Sequence, residues 1–218
     1  MNSDEGWCKN LYHIQHGELN TYPCHSMNLM NTLETWTPFY NLTKDLLREK
    51  GNDYTYLRFI ADTDEQRREE IKTKLNGKLH ALVNNAGISP KTLNGKRMNT
   101  LETDLHVWGE VFHVNFFASV VLAKSLKKEL QAANGSIVNV TSIAGSRVHP
   151  FAGAAYATSK AALSALTREM AYDFGPLGVR VNAIAPGEVE TDILSKGTEK
   201  LAENLPLRRL GQPMEVAK

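Results

Sequence analysis

Tyr156-Ala157-Thr158-Ser159-Lys160 sets a phenol and an ammonium four residues apart, a spacing that brings two side chains onto one face of a helix. A free phenol titrates at about pH 10 and is a poor base at neutral pH; a cation held beside it favours phenolate and brings that value down. Such a pair can run proton chemistry near pH 7. Ala154, Ala155, Ala157, Ala161, Ala162 and Ala165 surround it and predict a helix that packs closely on a neighbour. Alone, Y-x-x-x-K is equally an exposed helix with a lysine stretched along its surface, so the flanking segments decide.

Upstream, Ser136-Ile137-Val138-Asn139-Val140-Thr141 is a short β-branched run that reads as a buried parallel strand. It closes on Thr141-Ser142, placing hydroxyls at the C-terminal edge of a strand, where open α/β sheets hold their ligands. Leu79-His80-Ala81-Leu82-Val83 reads as another strand and leads into Asn84-Asn85-Ala86-Gly87, whose glycine lets backbone approach a ligand closely. Residues 107–130 carry apolar side chains at helical spacing with Asn115 among them, and a polar side chain on an apolar helix must find partners or cost stability. Val179-Arg180-Val181-Asn182-Ala183-Ile184 is a third strand, followed by Pro186-Gly187 and Thr191. Residues 54–60 alternate enough for a strand, and 64–75 read as a charged-faced helix with Gly77 as its stop.

These pieces, in this order, resemble the short-chain dehydrogenase/reductase family. The matching motifs are N-N-A-G at 84–87, Asn115, Ser142, Tyr156 with Lys160, and Pro186-Gly187 with Thr191. The resemblance covers 54–218, within a single domain whose first 53 residues are atypical. It implies an α/β fold with a doubly wound, Rossmann-like, mostly parallel sheet flanked by helices. It also implies hydride transfer between NAD or NADP and a small-molecule alcohol/ketone pair. In the family's pattern Tyr156 is the general acid/base, Lys160 lowers the Tyr156 pKa and binds the nicotinamide ribose, and Ser142 holds the substrate oxygen. Asn115 supports its helix and a proton path through water to Lys160. Asn84, Ala86 and Gly87 form the cofactor wall near the adenosine ribose, Pro186, Gly187, Val189 and Thr191 clamp the carboxamide, and Asp62 contacts adenine. The 142–156 segment is one residue longer than the common spacing, and Ser142 reads equally as a cap on the turn that follows it.

The family opens with a strand, a glycine-rich turn and a helix that receive the pyrophosphate on backbone N–H groups. Here the first fifty residues hold only Gly6 and Gly17. The chain therefore reads as beginning after that unit and as stopping inside the family's late helix, truncated at both ends. Loss of the central first strand leaves the next strand's edge unpaired or paired with something else, an aggregation hazard if uncovered. Two further readings stay open: a cofactor-free pseudoenzyme or interaction subunit, and a sugar-nucleotide epimerase or dehydratase, which uses the same Tyr–Lys pair.

Lys and Arg number 25 against 24 Asp and Glu, which leaves no basic footprint for nucleic acid. The sequence offers no signal peptide and reads as lacking an apolar segment long enough to span a membrane, pointing to the cytoplasm. Two cysteines, Cys8 and Cys24, fit a reducing compartment. Cys8, His13, His16, Cys24 and His25 match no zinc spacing. The helices around Val107 and Ala155 imply a homo-oligomer by the family's usual interface. The loop at 89–103 and the stretch at 188–205, in the family's lid position, flank the expected cleft. Arg147, His149 and Phe151 read either as pocket lining or as a connecting loop.

Overall fold

Ile137, Val138 and Val140 suit a pleated, half-buried surface, and their strand takes an interior position in a parallel sheet. The computed structural model describes residues 56–58, 72–73, 75–191, 193–195 and 197–217. Its strands are β1 (Tyr56–Arg58), β2 (Ala81–Asn84), β3 (Ser136–Val140) and β4 (Arg180–Ile184), paired in that order and all parallel. Register aligns Leu82 with Ile137 and Ile137 with Val181, so one apolar row runs across the sheet. Each predicted strand is present, and β2, β3 and β4 are each one residue shorter than their sequence signal. Tyr56–Arg58 pairs with the edge of β2, so that edge is covered rather than open.

The helices are α1 (Leu105–Phe112), a π turn (His113–Phe117), α2 (Ala118–Ser125), α3 (Lys127–Ala132), α4 (Ala154–Phe174) and α5 (Pro213–Ala217). The single helix expected over 107–130 is thus interrupted twice, by the π turn at Asn115 and by a break at Leu126. The π turn has an identifiable cause: the Asn115 amide bonds the backbone of Ile88 on both sides, and such single-turn bulges concentrate at functional sites. The α1–π segment packs on α4, so the two crossovers of β2–β3 and β3–β4 share one face of the sheet. The described strands run in chain order; the reversal that double winding requires lies outside the described residues.

The core gathers Leu79, Leu82, Leu122, Leu126, Leu130, Ile137, Met170, Phe174 and Val181 between these helices and the sheet. Each fully buried leucine contributes roughly 1.5–3 kcal/mol relative to exposure. One correction to the sequence reading concerns Leu105–Ser125, which by length and composition is long and apolar enough to cross a membrane. Here about a third of it is buried, with Val111, Val114, Ala118 and Leu122 turned into the fold.

Gly145 sets how closely the turn after β3 approaches α4. A Cβ there would lie 2.8 Å from the Ala161 nitrogen and 2.9 Å from the Lys160 carbonyl carbon, and backbone cannot retreat as a side chain can. Gly145→Ala is expected to lower stability by about 1–3 kcal/mol. Gly109→Ala, in helix α1 with open space at the new Cβ, is expected to be neutral or to stabilise by up to about 1 kcal/mol. Urea midpoints of the two variants check both.

Candidate active site

β3 and α4 together place the central groups. Thr141 extends the β3–β4 pairing, its N–H and its hydroxyl each donating to Ile184 O at 2.8 Å. Ser142 follows in extended conformation, and its Oγ accepts the Ala144 N–H at 3.1 Å, capping the short turn Ile143–Gly145. Ser142 therefore caps and also lines the cleft; the two readings of this residue are compatible. Across from it, α4 carries Tyr156, partly exposed to the cleft, and the buried Lys160 one turn on.

Lys160 Nζ donates to Val140 O at 2.7 Å and lies 5.9 Å from the Tyr156 ring centroid. Burial lowers the Lys160 pKa to about 8. Burial also raises the Tyr156 pKa above the ordinary phenol value; hydrogen bonding with Ser142 pulls the other way, and the Glu188 charge adds to the rise. This reverses the direction expected from sequence. Desolvation disfavours phenolate more strongly than the Ser142 hydroxyl favours it.

Asn115 fixes the floor. Its Oδ1 accepts Ile88 N–H at 2.8 Å, and its Nδ2 donates to Ile88 O and to Ser159 Oγ, each at 3.0 Å. It ties the loop after β2 to α4 without lining the cavity. Gly87 lies directly over Lys160: a Cβ would stand 3.3 Å from Nζ. Asn84 is buried behind β2, where Nδ2 donates to Asn139 Oδ1 at 2.8 Å while Asn84 Oδ1 has no protein partner. Asn139 in turn donates to Thr167 Oγ1 at 2.9 Å, a buried polar strut that sequence reading passed over.

The cavity of about 160 Å³ brings together Gly87, Ser142, Tyr156, Lys160, Pro186, Gly187, Val189 and Thr191. Asn84, Ala86 and Asn115 stand behind that wall, Ala86 against the Val114–Ala118 pair. Asp62 and the Cys8–His25 group lie outside the described residues. His149 and Phe151 line the cavity, whereas Arg147 is exposed and does not. Three lining groups carry charge or hydrogen bonds that sequence reading assigned no role: Lys91, His149 as a partner of Glu188, and Glu188 itself. His149 Nε2 and Glu188 Oε1 are 2.5 Å apart. Their chain separation of 39 residues leaves no local signal.

A family model described as enoyl-(acyl carrier protein) reductase matches residues 61–218. The chain belongs to the short-chain dehydrogenase/reductase family. Among its relatives in this family, Protein FixR of Bradyrhizobium diazoefficiens is 63% identical over 151 residues, 68% of this chain and 54% of FixR. The chain thus spans about half the length of that curated relative. A short-chain dehydrogenase/reductase from Brucella ovis, solved in complex with a partially ordered NAD, matches at TM-score 0.60 and 51% identity over 68% of this chain and 78% of that one. A 3-oxoacyl-(acyl carrier protein) reductase from Brucella melitensis with bound NAD matches at TM-score 0.66 and 31% identity, covering 81% of this chain and 67% of that one.

The lowered Lys160 pKa fixes a stability trend. Between about pH 8 and 10.5 the unfolded chain binds the Lys160 proton and the folded chain does not, so stability rises with pH in that window; below pH 8 the buried ammonium costs roughly 3 kcal/mol. Lys160→Met is therefore expected to show a smaller gain in urea midpoint from pH 8 to 9.5 than the parent chain. Equal gains in both would place the proton elsewhere.

Proposed function

We propose that this chain is a nicotinamide-dependent oxidoreductase acting on an alcohol/ketone pair, with Tyr156 as the group that gives or takes the substrate proton. The observation that carries this reading is a phenol kept neutral by burial, with Ser142 beside it and Lys160 beneath it, at the C-terminal edge of a parallel sheet. A neutral phenol carries the proton that a carbonyl oxygen has to receive on reduction, and Ser142 and Lys160 stand beside it in the same cavity. Ser142 supplies a fixed donor where charge develops on the substrate oxygen. Asn115 holds the Ile88 loop and Ser159 in place and so keeps Lys160 and Gly87 in register.

The described residues fit a nicotinamide cofactor on its ribose side. Lys160 spends one of its three donors on Val140 O, and Gly87 leaves room above it. Lys160 and Gly87 would hold the ribose, Pro186, Gly187, Val189 and Thr191 the carboxamide end, and Asn84 and Ala86 the wall toward adenosine, with Asp62 assigned to adenine. When bound, NAD or NADP supplies or accepts the hydride, and the protein's part is orientation and proton transfer. The NAD held by the two Brucella relatives supports this choice of cofactor. The cytoplasm and a homo-oligomer, formed through the helix face that exposes Leu105 and Phe117, complete the reading.

Tyr156→Phe is expected to lower kcat by about 10²–10⁴-fold and Ser142→Ala by about 10²–10³-fold, with NAD(P)H binding retained in both. Steady-state ketone reduction followed at the nicotinamide absorbance measures this. Turnover that survives Tyr156→Phe unchanged would contradict the assignment.

A further inference from the structure

Lys91, in the loop after β2, lines the same cavity. Its Nζ donates to Phe151 O at 2.8 Å and to Ser89 Oγ at 3.0 Å, both neutral acceptors, which leaves a third donor unspent. Among the described residues no carboxylate lies within ion-pair distance of it. The nearest charge acting on it is a like one: Arg97, whose Nε donates to Ala152 O at 2.9 Å. Burial and Arg97 together lower the Lys91 pKa to about 8. The fold therefore holds a partly desolvated ammonium, acted on by a guanidinium, in a cavity whose carboxylate is paired with His149 and not with it. A cation in that state gains most from an incoming anion.

The carboxylate that lines the cavity, Glu188, is already engaged. His149 Nδ1 accepts the Phe151 N–H at 3.2 Å, which leaves the imidazole proton on Nε2, facing Glu188. The Phe151 backbone thus gives its N–H to His149, on the Glu188 side, and its carbonyl to Lys91. Charge is arranged by sign along this wall. The Glu188 end acts on the Tyr156 phenol, and neither Lys91 nor Arg97 is among the groups that shift it.

We infer that the substrate carries an anionic group, a carboxylate or a phosphate, and that Lys91 receives it. This rests on the oxidoreductase reading above and narrows its substrate class. The competing role for Lys91 is a strap that only holds the 149–153 loop. Charge and strap separate by substitution: Lys91→Gln keeps a donor for Phe151 O and removes the charge, and Lys91→Arg keeps the charge.

The experiment pairs acids with neutral counterparts on the full chain: acetoacetate and 4-oxopentanoate against their methyl esters, and dihydroxyacetone phosphate against dihydroxyacetone. Each is assayed with NADH and NADPH and also titrated calorimetrically. The anionic member of at least one pair is expected to have the higher kcat/KM, by about 10-fold or more. That ratio should collapse toward one in Lys91→Gln, mainly through KM, and return in Lys91→Arg. The phosphate pair against the carboxylate pairs tells which anion is taken. Ratios near one in the parent chain, or equal ratios in the parent and Lys91→Gln, would overturn the anion seat and leave the oxidoreductase reading standing. Lys91-dependent binding of an acid without turnover by either nucleotide would keep the seat and overturn the oxidoreductase reading instead.

Discussion

The hydrogen bond from Lys160 Nζ to Val140 O joins the last residue of β3 to the helix that carries Tyr156. It is made by an ammonium taken almost wholly out of water, so the packing around it has to be specific: a displaced α4 would leave a buried charge without its acceptor, a costly state. That requirement explains why the turn after β3 must pass α4 at Gly145 with no room for a side chain. It also explains why the loop after β2 is pinned by Asn115 rather than left to find its own place above the ammonium. The positions of Ser142, Tyr156 and Gly87 relative to one another all follow from this one buried contact and the packing that protects it.

Three loops from the C-terminal ends of β2, β3 and β4 meet over this floor, as ligand sites in open parallel sheets do. They are joined through a single residue. Phe151 links the Lys91 loop, its own loop through His149, and the Glu188 loop in one continuous run of hydrogen bonds. The cleft wall is therefore a rigid polar surface with separated charges, while its floor is a strand edge and a helix face. Burial sets the protonation states at the floor: the phenol stays neutral and the lysine is brought toward neutrality.

Much of this was legible in the chain. The β-branched runs at 136–141 and 179–184 gave parallel strands because such side chains suit a sheet covered by helices, and the spacing of Tyr156 and Lys160 put both on one helix face. The remainder depends on distances that local sequence does not encode. Nothing around Asn115 distinguishes a π turn from a regular helix, since its cause is the backbone of Ile88, 27 residues away. The direction of the Tyr156 pKa depends on depth of burial, which the i, i+4 spacing does not report. Lys91 looked like an ordinary loop lysine, and Glu188 like one more residue of a lid, because their partners lie in other loops.

The central claim is that this floor serves a nicotinamide cofactor. Calorimetric titration of the folded chain with NADH and with NADPH, repeated on Lys160→Met, tests it most directly. Saturable binding of at least one nucleotide, weakened in the variant, is the expected result, together with thermal stabilisation by mass action. A folded chain that neither binds nor is stabilised by either nucleotide would contradict it.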